Sequence, residues 1–320
     1  MDRADAGRLG LRLGIGDDAA LIVPKRDRDV VLSSDYFIEG SHFLLKEHPP
    51  ESVGYKSLAR AASDLAAMGA EPGFFLLNLA MPERRTGAWL DGYLRGLARA
   101  SRRLDISLIG GDLAKAARVS VCITVIGYAK YGAAIPRTGA KSGDLVCVSG
   151  RLGGARLGLE IVRKKLQREA GAKRLLLPHL YPEVRLKLGA WLARNRIASA
   201  MMDISDGLSI DLERLCEASR VGATIEAARL PCARIPEEWA KRLRLGPSAE
   251  LEFALHGGDD YELLFTVPPS RARKLRLVPR SVPVTRIGTI GRDRRIQITG
   301  HDGRTRALPP HGWDHFARPT

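Results

Sequence analysis

Apolar and polar positions follow two rhythms along the first half of the chain. Runs rich in Val, Ile, Leu and Phe at 19–24, 29–34, 73–81 and 118–128 have the length and content of strands. Between them the apolar residues recur every three or four positions, which predicts helices over 55–69 (Leu58, Ala61, Leu65, Met68) and 88–104 (Leu90, Leu94, Leu97, Leu104). The polar stretch 137–144 interrupts this pattern, and a domain boundary near it divides the chain into 1–132 and 133–320. Beyond it, 145–149, 262–267 and 284–290 predict strands, and 153–168, 182–195 and 207–219 predict helices.

Six clusters of aspartate with serine or glycine stand along these elements, several at their ends: Gly14-Ile-Gly-Asp-Asp18, Ser33-Ser-Asp35, Ser63-Asp64, Gly110-Gly-Asp112, Asp203-Ile-Ser-Asp206 and Gly257-Gly-Asp-Asp260. Carboxylates beside small residues suit hard cations, and hard cations in such sites usually hold phosphate. Each cluster also has a plainer reading. The first can be a solvated turn, and the second a strand end whose adjacent oxygens either meet water or ligate one ion. Gly110-Gly-Asp112 follows Ile106-Ser-Leu-Ile109 as a strand would feed a glycine turn at a phosphate. Asp64 lies inside an amphipathic helix, where a carboxylate beside the buried face is paired, metal-bound or turned out to water. Ser205 or Asp206 can cap the helix that follows, and the first amides of that helix can instead meet a phosphate.

Charge arithmetic links the clusters. Like charges about 4 Å apart repel by roughly 4 kcal/mol at an effective dielectric of about 20, so five converging aspartates require several divalent ions. Oxygen-only ligation points to Mg²⁺ rather than zinc, and Mg²⁺ normally shares its shell with nucleotide phosphates. The chain has no G-x-x-x-x-G-K-[ST], H-R-D or D-F-G sequence, which excludes a P-loop and a protein-kinase nucleotide site.

Composition sets outer limits. With 320 residues, 45% of them hydrophobic and 27% charged, the chain can build a substantial core and does not read as disordered. No apolar stretch approaches the roughly 18 residues of a membrane helix. The start, Met1-Asp-Arg-Ala-Asp-Ala, lacks the apolar core of a signal peptide, so a cytoplasmic protein with no membrane partner is expected. Cys122, Cys147, Cys216 and Cys232 are widely spaced without a C-x-x-C pair, so neither disulfides nor zinc are expected. The net charge is +15, and residues 271–306 hold eleven basic residues against Asp293 and Asp302. That excess either binds nucleic acid or coats a solvated surface. The scattered positions and few aromatics favour the solvated surface, so no nucleic-acid partner is expected.

Taken in order, five strings resemble the thiamine-monophosphate kinase family, which is grouped with aminoimidazole ribonucleotide synthetase, selenophosphate synthetase and the hydrogenase maturation dehydratase. They are Gly14-Ile-Gly-Asp-Asp-Ala-Ala20, Ser63-Asp-Leu-Ala-Ala-Met-Gly-Ala70, Asp203-Ile-Ser-Asp-Gly-Leu208, Gly257-Gly-Asp-Asp-Tyr-Glu-Leu263 and Gly312-Trp-Asp-His-Phe316. The resemblance runs from Leu13 to Phe316. It implies an α/β (α+β) two-domain fold like that of aminoimidazole ribonucleotide synthetase. In that fold the N-terminal domain carries most metal ligands and forms a β-barrel across a homodimer. It also implies ATP-dependent phosphorylation of thiamine monophosphate to thiamine diphosphate with several Mg²⁺ ions.

By matching motifs, the Mg²⁺ ligands would be Asp18, Ser33, Ser34, Asp35, Asp64, Asp112, Asp203 and Asp206. ATP would also meet Gly111, Arg137 and Ser205, and the thiamine phosphate would meet His42, Asp259 and Trp313. Without the resemblance, His42 reads as a packed histidine and Trp313 as core. Ala62 stands where the family usually has asparagine, Leu113 where it has threonine, and Asp259 where many members have glutamate. The acceptor is itself an ionised phosphate, so no general base is expected. Asp206 and Arg137 would give electrostatic support to a direct, in-line transfer without a phosphoenzyme. The rival expectations are another ATP-using enzyme of this fold, a basic nucleic-acid-binding protein, and an inactive member of the family.

Overall fold

The computed structural model describes residues 10–24, 26–279 and 282–313, so Asp314, His315 and Phe316 of the last string lie outside the described residues. Two sheets carry the chain. The first is built from β3 (Arg28–Ile38), β4 (Glu71–Met81), β5 (Ser107–Lys115) and β6 (Ser120–Lys130), after a short pair β1 (Leu11–Leu13) and β2 (Leu21–Ile22). Its order is β3-β6-β4-β5, antiparallel except for the parallel β4–β5 pair. Helices α1 (Pro50–Ala67) and α2 (Ala88–Leu104) follow β3 and β4.

The second sheet has seven strands in the order β13-β12-β9-β11-β7-β10-β8. In chain order its part of the molecule runs β7 (Leu145–Ser149), α3 (Gly154–Arg163), α4 (Ala172–Leu180), α5 (Leu186–Arg194), β8 (Ala200–Ile204), α6 (Leu208–Ser219) and β9 (Gly222–Glu226). It ends with α7 (Glu237–Leu243), α8 (Ala249–His256), β10 (Glu262–Val267), β11 (Val284–Gly291), β12 (Ile296–Thr299) and β13 (Thr305–Ala307).

Helix α1 is the element both sheets share. It packs on β3 and β6 on one side and on α5 and β8 on the other. One continuous core therefore joins Leu58 and Leu65 of α1 to Val121 and Val125 of β6 and to Met201 and Phe265 of the second sheet. Pro50 starts α1, where its missing N–H costs no bond, and Gly69 at φ +70° ends it, with the Gly69 and Ala70 amides closing on Ala66 and Leu65. The helix is buried all round rather than along one stripe, because α2 also lies against it. Gly54 of α1 faces the Tyr93 carbonyl and Gly96 of α2 faces the Glu51 carbonyl so closely that a Cβ at either would overlap the opposing backbone.

Several sequence expectations need correction. The strand at 19–24 shrinks to Leu21–Ile22, since only these residues pair with β1. Gly110-Gly-Asp112 is not a turn but the interior of β5, with a bulge where Leu76 meets Gly110 and Gly111 at φ +145°. The helix at 153–168 stops at Arg163, because Lys165 turns left-handed (φ 56°) and closes the end. The helix at 182–195 starts only at Leu186, because Arg185 leaves helical geometry to bond the buried Glu262 (Nε–Oε2 2.6 Å). In α2 the buried side keeps Leu97 and Leu104 of the expected stripe and adds Trp89, Tyr93 and Ala100, while Leu90 is partly buried and Leu94 is exposed.

Candidate functional site

A cavity of about 550 Å³ opens where the end of β3, helix α1, the β8–α6 turn and the glycine-rich loop before β10 meet. Its frame is a polar stripe on α1. Lys56, Arg60, Ser63 and Asp64 are four, three and one residue apart, so they share one side of the helix. Each holds a partner distant in sequence. Lys56 Nζ donates to Asp259 Oδ2 at 2.8 Å, Arg60 Nε and Nη2 donate to the two oxygens of Asp35 at 2.6 and 3.0 Å, and Ser63 Oγ donates to Asp203 Oδ2 at 2.6 Å. Asp64 accepts a short hydrogen bond from Ser33 Oγ. One buried helix thereby lines up Asp35, Asp64, Asp203 and Asp259 along one wall.

The β8–α6 turn differs from the expected cap. Gly207 is the residue before the helix, and neither Ser205 nor Asp206 caps it with a side chain. Instead Asp211, from the first turn of α6, folds back and accepts the amides of Ser205, Asp206 and Gly207 at 3.0, 3.0 and 3.1 Å. Those amides are therefore not open to a phosphate. Asp206 is paired with Arg214, which also bonds Asp211. Burial and then the Asp206 charge push Asp211 up to about 6.

At the other end, Asp259 and Tyr261 both sit at positive φ (67° and 51°), a conformation that bulky residues hold only when their surroundings force it. Three bonds do so. Tyr261 OH donates to Asp259 Oδ1 at 2.7 Å, and the amides of Asp259 and Tyr261 donate to Ser205 and Ile204 at 2.7 and 2.9 Å. Asp260, between them, accepts the amides of Gly153 and Ala155 at the start of α3. Burial would raise the Asp259 carboxyl, but Lys56 and Arg60 overrule it and hold it below the usual carboxylate range. His42 is oriented by the Ile38 amide, which donates to its Nδ1 at 3.0 Å, and Trp313 is joined to the turn by its amide on the Asp206 carbonyl.

Of the residues expected from the sequence, Ser34, Asp35, Asp64, Asp203, Ser205, Asp206, His42, Asp259 and Trp313 line this cavity, and Ser33 reaches it through Asp64. Arg137 stands outside the lining, though its charge acts on Asp64 and Asp203. Asp18, Gly111 and Asp112 are exposed and not brought to the cavity. For Asp112 the reason is strand alternation. It lies in the cross-strand row Asp112–Asn78–Cys122–Tyr36, one residue out of step with Asp35, so it faces away from α1. Sequence reasoning missed Lys56, Arg60, Asp211, Arg214 and the histidines His48 and His179. The available signal for the first two was a recurring polar stripe in an otherwise apolar helix.

The donor set suits a hard cation. Burial, then the Asp35 charge, push Asp64 above its ordinary value, while burial and Asp64 push Asp203 up to about 7. Added positive charge would reverse both shifts. Among the described residues, however, no three acids, histidines or cysteines already surround one point as a complete site. Arg60, Ser63 and Arg214 hold three of the carboxylates apart, so phosphate oxygens would have to supply the rest of an ion's shell.

Residues 16–129 match the AIR synthase related protein, N-terminal domain, and residues 141–301 match its C-terminal domain. Fold and cavity together thus define an α/β protein of the AIR synthase-related class. The chain is 38% identical to the thiamine-monophosphate kinase of Escherichia coli (strain K12), covering 99% of this chain and 96% of that one. It superposes with a TM-score of 0.82 on the thiamine-monophosphate kinase of Stenotrophomonas maltophilia K279a, at 36% identity and 94% coverage of each chain. A structure of AaThiL complexed with AMPPCP and TMP is also similar, with a TM-score of 0.80 at 31% identity, covering 97% of this chain and 94% of that one. The chain belongs to the thiamine-monophosphate kinase family.

Proposed function

We propose that the chain transfers the γ-phosphoryl group of ATP to the phosphate of thiamine monophosphate, forming thiamine diphosphate, in the cavity beside α1. The carrying observation is the alignment of Asp35, Asp64, Asp203 and Asp206 on the wall that also holds Asp259, His42 and Trp313. AaThiL, which shares the fold, has been seen with AMPPCP and TMP together. The acidic end would take the phosphates through magnesium held by Asp35, Asp64, Asp203 and Asp206 with Ser33, whereas the Ser34 hydroxyl is turned to Cys122 and Thr124 on the other face of β3. Bound magnesium would lessen the repulsion between the two polyanions. Ser205 and Arg137 belong to the nucleotide side of this reading, and the ionised acceptor needs no base from the protein. Asp259, His42 and Trp313 would hold the thiamine end, where an anion and an aromatic face suit a cationic ring. Incubation with thiamine monophosphate and Mg-ATP, followed by chromatography, is expected to yield thiamine diphosphate in step with ADP. ADP release without that product would overturn the reading.

The proposal extends to a homodimer and to a division of the chain at 132/133. Val30, Leu32 and Tyr36 alternate on the face of β3 turned away from α1, and all three are exposed. β1 and β2 cover only part of that face, through Leu11 and Ile22 against Phe74, Ile126 and Tyr128. Pairing this face with its copy in a barrel would bury the remaining apolar side chains. Asp18, Gly111 and Asp112 have no place at the cavity of a single chain, and the reading does not depend on them.

A further inference from the structure

We propose that Lys56 is a positioning residue for the thiamine-monophosphate end of the cavity: clamped between Asp259 and a chain of two histidines, its ammonium holds the Asp259 carboxylate still on the cavity wall. The proposal rests on the assignment of Asp259 to that substrate. Lys56 is 2% exposed, yet its ammonium meets Asp259 Oδ2 at 2.8 Å and His179 Nδ1 at 3.4 Å. His179 Nε2 in turn meets His48 Nε2 at 3.0 Å, and His48 Nδ1 lies 3.1 Å from both the carbonyl and the amide of Leu44. An ammonium can only donate, so His179 Nδ1 accepts and its Nε2 carries the proton. That proton goes to His48 Nε2, which leaves the His48 Nδ1 proton for Leu44. With both imidazoles neutral this tautomer satisfies the line from Lys56 to the Leu44 carbonyl, and the Leu44 amide, at 3.1 Å from the same Nδ1, has no acceptor there in that state. Burial, reinforced by the Lys56 charge, pushes His48 down to about 4 and His179 well below its ordinary value, in the same sense.

The chain of donors runs one way, from a cation at its head to a backbone carbonyl at its tail. Lys56 is therefore tethered from behind as well as in front. The other Asp259 oxygen is taken by Tyr261 OH, and the backbone beneath both residues is held at positive φ. A carboxylate anchored at both oxygens, with 31% of its side chain open to the cavity, is preorganised rather than free to seek its ligand. Asp259 needs no such clamp to be solvated. Burying a lysine beneath it carries a desolvation cost that packing alone does not require.

Kinetics on the full chain test this. In Lys56→Met the KM for thiamine monophosphate is expected to rise about tenfold or more while the KM for ATP stays within about twofold, and Lys56→Arg is expected to recover most of the loss. The double variant Lys56→Met/Asp259→Asn is expected to bind thiamine monophosphate no worse than Asp259→Asn alone, since the clamp has nothing left to hold. It removes both charges together, so it carries the comparison even where Lys56→Met does not fold. A double variant whose loss is the product of the two single losses overturns the proposal. So does a Lys56→Met enzyme in which kcat and both KM values worsen together with the melting temperature. An Asp259→Asn enzyme with unchanged KM for thiamine monophosphate would instead show that the substrate assignment itself is wrong.

Discussion

The aspartates of the cavity divide by partner. Asp35 and Asp259 are matched by arginine and lysine in direct contact, whereas Asp64 and Asp203 are hydrogen-bonded to serine hydroxyls and feel Arg137 through its charge alone. The second pair is the more dependent on an added cation, and Asp64→Asn is expected to lower kcat/KM by about two orders of magnitude or more while leaving the melting temperature nearly unchanged. Steady-state kinetics beside a thermal melt separates the two effects. The buried histidines predict a pH signature. His48 titrates near 4 in the folded chain and near 6.5 when unfolded, so the unfolded chain takes up more protons between those values. Stability is therefore whole above about pH 6.5 and falls as the pH drops toward 4, by on the order of 2–3 kcal/mol. The groups facing this pair are Lys56 from α1, Asp259 from the loop before β10, Glu47 beside His48 and Arg163 from α3. Urea midpoints across that range are expected to show a shallower acid slope in the His48→Gln/His179→Gln variant than in the parent.

Helix α1 has two duties that compete for its surface. Its apolar positions join the two sheets, and its polar stripe sets Lys56, Arg60 and Ser63 against acids from the loop before β10, β3 and β8, and Asp64 against Ser33. Both duties need the helix at a fixed depth, and the contact with α2 sets that depth. Because Gly54 lies against the Tyr93 carbonyl, Gly54→Val forces the helices apart and is expected to cost about 3 kcal/mol or more, through overpacking. Glu51→Gln, which loosens only the half-exposed Glu51–Arg95 ion pair between the same two helices, serves as the control, and chemical denaturation measures both. In a partly folded Gly54→Val protein, activity would fall further than the folded fraction, since the whole stripe moves with the helix.

For the molecule as a whole, the open side of the first sheet is the feature that asks for a partner. Leu32 is 63% and Tyr36 59% exposed on the same face, on either side of Ser34, which is unusual for two residues of that size so close along one strand. Leu32→Glu/Tyr36→Glu is expected to convert a dimer into a monomer, as read by light scattering on a sizing column. A monomeric parent would remove this part of the proposal without touching the cavity. The net charge of +15 adds self-repulsion between copies, so raising the salt concentration is expected to tighten association.

Much of the fold was legible because periodicity and turn chemistry are local. The apolar runs placed β4, β6, β7 and β10 within two residues, and a helical rhythm placed α2 at its observed ends. The acid clusters could be read as chemistry for the same reason, since an aspartate beside serine or glycine carries its meaning on the spot. What the chain could not disclose was which charge answers which. Lys56 and Asp259 are 203 residues apart, and Ser63 and Asp203 are 140 apart. Nor could it show that Asp112 faces away from Asp35, which follows from strand order and a one-residue alternation across three pairings. A buried charge is tolerated only beside its partner, and partners across a cavity are brought together by packing rather than by sequence distance.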